Sequence, residues 1–153
     1  MTARTFAMLC GGFYLVLGVL GFVPAVWERP SGAGGPLKIN VFHASIFGYL
    51  ASNIILSMVH LVIGLWGTMA ANNRYSALIF ARAGAIVFLV LGVMGAIPVN
   101  DVRTAWGTVP LAGNNVILHL ATAVIAVFFS IRPGYQLTTI GVNQEINPHA
   151  PSK

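Results

Sequence analysis

Between Asn53 and Gly67 the chain reads N-I-I-L-S-M-V-H-L-V-I-G-L-W-G. On a helix, Asn53, Ser57, His60, Gly64 and Gly67 recur at alternating spacings of four and three and so share one stripe. The remaining faces carry Ile, Leu, Val, Met and Trp. A helix that gathers its polar atoms on one stripe and shows hydrocarbon elsewhere suits a lipid solvent, where the stripe must find partners within protein. The composition agrees. Of 153 residues only 7% are charged and 57% are hydrophobic, and the mean hydropathy is +0.83. A soluble domain of this length cannot bury that much apolar surface.

Taken in order, the sequence implies an all-α polytopic membrane protein, a four-transmembrane-helix bundle built from two tandem helical hairpins. Spans are expected over residues 5–27, 46–70, 76–99 and 114–131, forming a membrane domain over 1–131. The first apolar run is longer than a signal-peptide core of about 7–15 residues, and it recurs later in the chain, so it reads as a span. The Pro- and Gly-rich segment from Glu28 to Lys38 reads as a loop, and the stretch after Phe42 as an interfacial turn of helix feeding the second span. Ala70 to Tyr75 is a tight turn, and Asn100 to Gly113 a second loop in which Trp106 is an interface anchor. Arg82 is expected to snorkel to the headgroups, and His43 to be solvated or interfacial. Residues 132–153 form a polar extramembrane tail.

An internal repeat organises these spans. F-Y-L-V-L-G-V-L-G-F-V-P from Phe13 to Pro24 matches V-F-L-V-L-G-V-M-G-A-I-P from Val87 to Pro98, with both glycines and the proline in register. Asn53, Ser57 and His60 are echoed more loosely by Asn115, His119 and Thr122. The repeat halves are residues 5–70 and 76–131. Two spans per half give both halves the same orientation, related by a pseudo-twofold axis along the membrane normal, with both termini on one side. That side holds Arg4, Arg74, Arg132, Lys153 and a snorkelled Arg82, the other Arg29, Lys38 and Arg103, so the termini are expected in the cytoplasm.

The pairing of an L-G-x-x-G-x-x-P span with an Asn- and His-bearing H-L-x-x-G span resembles a family of small bacterial four-span membrane proteins catalogued as a domain of unknown function. The likeness runs from about Phe6 to Ile131. In that family the second span commonly reads N-x-V-H-L-x-x-G. Here Ser57 takes the place of that Asn, and Asn115 lies one residue further from His119 than the pattern has it. The resemblance implies the architecture and a bacterial-type cell membrane or an internal, for example photosynthetic, membrane; it implies no activity.

Gly11, Tyr14, Gly18, Gly21 and Ala25 make a small-residue seam on the first span, and Ala85, Phe88, Gly92 and Gly95 its counterpart on the third. With Gly64 and Gly67 of the second span, Gly18, Gly21, Gly92 and Gly95 are the expected helix-packing positions, because close approach is what drives helix association in lipid. Asn53, Ser57, Asn115 and Thr122 are the expected interhelical polar contacts. His60 and His119 each carry one donor and one acceptor when neutral, so each is expected to hydrogen-bond an Asn, Ser, Thr or backbone carbonyl on a neighbouring helix. The alternative makes one or both an axial ligand of haem or chlorophyll. No cofactor or metal is assigned.

The three carboxylates fall in loops or tail, no nucleotide-binding or hydrolase motif is present, and the single Cys10 supports neither a disulfide nor a zinc cluster. The eight Lys and Arg are scattered singly, unlike a nucleic-acid patch. The sequence therefore points away from an enzyme. It favours an accessory or scaffold subunit in the lipid bilayer, docking on other membrane subunits through its aliphatic faces and through Trp66, Phe128 and Phe129. A haem or pigment binder is the alternative, and a small transporter or proton relay ranks below both.

Overall fold

The computed structural model describes residues 2–30 and 36–131; the tail and the charges of Arg132 and Lys153 lie outside the described residues. Helix α1 spans Ala3–Leu20, and Thr2 caps it by accepting from the Thr5 N–H. It stops seven residues short of Trp27, because Pro24 offers no N–H and biases Val23 to an extended backbone. Pro24–Val26 form a single 3₁₀ turn, after which the Trp27 indole N–H folds back to the Leu20 carbonyl at 3.2 Å. The same carbonyl, which has no partner within the helix, also accepts from the Val23 N–H at 3.1 Å. Ala25, expected to continue the seam, is exposed in this turn.

The stretch expected as an interfacial helix is a small sheet. Strands β1 (Trp27–Glu28), β2 (Ala44–Ile46) and β3 (Leu50–Ser52) pair antiparallel in that order, with Ile46 opposite both Trp27 and Leu50. Phe47 and Gly48 have left-handed φ values of 51° and 73°, which turn β2 into β3 and rule out a continuous helix. The following helix, α2, therefore begins at Ile54 rather than near Ile46 and ends at Ala70.

Helix α3 (Arg74–Ala96) follows after a three-residue turn, with the Asn73 side chain accepting from the Ser76 N–H. It ends before Pro98. A four-residue helix α4 (Asn100–Arg103) and a loop lead to α5 (Asn114–Ile131). Helices α1, α3 and α5 are long and apolar enough to cross a membrane, whereas α2 is an apolar helix of 17 residues.

Helix α1 packs along α2 and α3 along α5, with α1 and α3 also in contact. At one end Phe6, Phe80 and Phe129 meet among alanines of all four long helices. Phe129 is thus a core residue, stacked on Phe6 at 5.3 Å, and not the docking surface expected of it; Phe128 and Trp66 are exposed. At the other end Leu56 of α2 packs with Val109 and Leu111 of the loop before α5. Tyr14, Leu17, Phe88 and Ala123 fill the middle.

Candidate functional site

Four rings from four helices meet at the centre of the molecule. Tyr14 of α1 lies 5.2 Å from His60 of α2 and 4.7 Å from Phe88 of α3, centroid to centroid. Phe88 is stacked on His119 of α5 at 6.0 Å, and His119 closes the circuit to His60 at 6.3 Å. Tyr14 and Phe88 are equivalent in the repeat, 74 residues apart, and the two histidines, 59 residues apart, each precede a leucine. The site is therefore formed where equivalent positions of the two halves face each other. His60 is 3% exposed and His119 0%.

None of the four imidazole nitrogens has a hydrogen-bond partner. This corrects the expectation of an interhelical bond from each histidine. The groups expected to serve them are engaged elsewhere. The Asn53 side chain caps α2 by accepting from the Leu56 N–H at 3.0 Å, and its amide donates to the carbonyls of Ile39 and Thr108. Asn115 donates to the carbonyls of Ala51 at 2.8 Å and Pro110 at 2.6 Å. Ser57 pairs with Ser52 at 2.9 Å. The asparagines stand at helix N-termini, where orphaned loop carbonyls compete for their N–H groups; His60 lies about 10 Å deeper along α2 than Asn53 at 1.5 Å per residue. Thr122 is nearer the rings. Its hydroxyl donates to the Leu118 carbonyl at 2.8 Å, so the Tyr14 hydroxyl, 2.9 Å away, donates to Thr122.

The six glycines lie at helix contacts, and the contacts repeat. A Cβ on Gly18 would meet Leu61 and one on Gly92 would meet Leu120, the leucines that follow His60 and His119. Gly21 abuts Ser57, and Gly95 abuts Leu111 and Val116. Gly64 lies on the backbone of Leu15 and Gly67 on Gly11. Backbone contact at these points sets α1 and α2 close enough for Tyr14 to reach His60.

Beside the rings, a cleft of about 390 Å³ runs between α1 and α5, lined by apolar side chains together with Cys10, Tyr14 and Thr122. His43, on the loop side of the molecule, is half-buried, and that burial lowers its pKa below the ordinary histidine value.

Two parts of this arrangement lie outside the sequence expectations. Tyr14 and Phe88 are seam residues by their spacing in the sequence, and in the structure they are the walls of the histidine site. The loops also repeat. Phe47-Gly48 and Trp106-Gly107 each stand 13 residues before a histidine, and both pairs are left-handed, with φ of 51° and 73° against 59° and 85°. Gly48 N–H donates to the Ser45 carbonyl and Gly107 N–H to that of Thr104, the equivalent residue. An aromatic-glycine pair at a fixed distance before each histidine was the available signal. It is short and falls in segments that otherwise differ.

No curated protein and no solved structure matches the chain. A family does, over residues 4–132, a range that holds all five helices but the first residue of α1 and with them all four rings. The chain belongs to the family described as "Domain of unknown function (DUF4383)".

Proposed function

We propose that this protein is a four-span membrane bundle of two tandem hairpins, α1 with α2 and α3 with α5, that serves as a non-enzymatic accessory or scaffold subunit of a larger membrane assembly. The observation that carries this reading is the division of its chemistry between inside and outside. Ser57, His60, Asn115 and His119 are buried inside the bundle, while Val16, Val62, Ile86, Ile117 and Val124 stand more than half exposed around the outside. Such a surface offers other helices shape without chemistry. The cleft between α1 and α5, with Phe13 half exposed at it, provides a groove for a neighbour's side chains. At 17 residues α2 meets the lower bound for crossing, about 17 residues, and the positive-inside balance favours cytoplasmic termini.

The haem or chlorophyll alternative draws on the unpartnered histidines, but the ring circuit, with sides of 4.7 to 6.3 Å, leaves no slot for a macrocycle between them. Both imidazoles are buried, which argues against their ligating a macrocycle that lies on the lipid-facing surface.

Native mass spectrometry of the protein gently extracted from its own membranes tests the subunit reading. The expected result is co-migration with one defined set of membrane proteins in fixed ratio. A bare monomer from crosslinked and uncrosslinked membranes alike overturns it.

A further inference from the structure

Two buried imidazoles with four idle nitrogens are costly in a protein interior, and more so inside a membrane. Their spacing is informative. A direct N–H···N hydrogen bond, about 2.9 Å between nitrogens, would set the ring centroids about 5 Å apart. The observed separation is 6.3 Å. Two collinear metal–nitrogen bonds of about 2.0 Å each would place the centroids about 6 Å apart. The centroid separation therefore matches in length a bridge of nitrogen, one metal ion and nitrogen better than it matches a direct hydrogen bond.

The ligand set narrows what that atom is. Among the described residues no group of three or more His, Cys, Asp or Glu converges, so a four-coordinate zinc site is not formed, and no carboxylate lies at the rings to serve a hard cation. Two neutral nitrogens suit a closed-shell monovalent ion that is content with two donors, and Cu(I) is the biological ion of that kind. A single positive charge is also the least costly to hold here. It would be spread over two imidazoles, with the Phe88 ring stacked on His119 at 27° and the Tyr14 ring against His60, and aromatic faces attract cations. The cleft lined by Cys10, Tyr14 and Thr122 brings a path from the membrane-facing surface to within one ring of the pair. We infer that His60 and His119 form a two-coordinate Cu(I) site between the two halves of the chain. It is independent of the subunit reading.

The test uses the full chain in detergent under nitrogen, with Cu(I) supplied as its bicinchoninate complex and Ag(I) as a redox-silent probe. One Cu(I) per chain should transfer from the chelator, and X-ray absorption should show two nitrogen donors at about 2 Å. His60→Ala and His119→Ala should each weaken retention at least about 100-fold, since loss of even an outer-shell partner costs 10–100-fold, while Cys10→Ser should retain it. A measurement free of variants guards against misfolding: in the ¹⁵N-histidine-labelled wild type, Ag(I) should shift one ring nitrogen of each of His60 and His119. Failure of Cu(I) to leave the chelator, unshifted ring nitrogens, as a bridging water would give, or loss of binding in Cys10→Ser would each overturn the inference.

Discussion

Asn53 and Asn114 brace the two halves of the molecule reciprocally. Asn53 donates to the Thr108 carbonyl at 2.7 Å and Asn114 to the Tyr49 carbonyl at 3.0 Å, and Tyr49 and Thr108 each follow the left-handed aromatic-glycine pair of their own half. Asn115 completes the brace by holding Ala51 and Pro110, which are equivalent to each other by the same 59-residue offset. Each hairpin is thus closed by the loop of the other.

The exposed Asn114 should differ sharply from the buried Asn53 and Asn115 on substitution. Asn53 is fully buried with three bonds, so Asn53→Ala leaves a helix N–H and two carbonyls open and should destabilise by about 2–3 kcal/mol. Asn115→Ala should cost about 1–3 kcal/mol. Asn114 is exposed, and Asn114→Ala should stay within about 0.5 kcal/mol of wild type. Reversible unfolding in mixed detergent ranks the three; equal effects would count against the brace.

The glycine contacts predict opposite signs for two neighbours. A Cβ on Gly64 would run into the Leu15 backbone, so Gly64→Ala should force α1 from α2 and cost about 1–3 kcal/mol. A Cβ on Gly12 meets nothing within 4 Å, and Gly12→Ala should be neutral or gain up to about 1 kcal/mol in helix propensity. Thermal unfolding of the two variants, side by side, decides the matter.

Tyr14→Phe and Thr122→Val remove the same hydrogen bond from opposite ends. A double-mutant cycle should therefore show coupling of about 0.6 kcal/mol, the average for interhelical bonds in lipid, and no more than about 1.7 kcal/mol, the largest value found. Strictly additive effects would place Tyr14 away from Thr122.

Because burial lowers the His43 pKa, the folded chain holds that imidazole neutral at pH values where the unfolded chain is already protonated. The contribution of His43 to stability is full above the ordinary histidine pKa, about 6.5, and is lost as pH falls from there through the lowered folded value. A ¹³C or ¹⁵N titration of His43 should give a midpoint below 6.5; a midpoint above it would reverse the sign.

The helical part of this fold was legible because lipid imposes a strong rule: polar atoms share one stripe and glycines fall at contact spacing, as on the helix from Ile54 to Ala70. The ends were less so. Asn53 reads equally as an interior stripe residue and as an N-cap, and only the turn at Phe47 and Gly48, where an aromatic residue takes a left-handed φ, forces the second role. The site was half legible. His60 and His119 stand out as polar residues in apolar helices, but their nearness depends on which faces of the two halves meet. That is decided by Gly18 against Leu61 and Gly92 against Leu120, contacts between segments far apart in sequence. Nor does the repeat alone reveal that loop carbonyls, rather than the histidines, take up the asparagine donors.

The central claim is that the two halves pack with equivalent faces together and turn Tyr14, His60, Phe88 and His119 inward. Nuclear Overhauser contacts among the ring protons of Tyr14, His60, Phe88 and His119, recorded on the full chain in detergent or nanodiscs, test it most directly. The account predicts cross-peaks from His60 to Tyr14, from His119 to Phe88, and between the two imidazoles. Histidine ring protons that contact lipid or detergent, with no contact to each other, would contradict it.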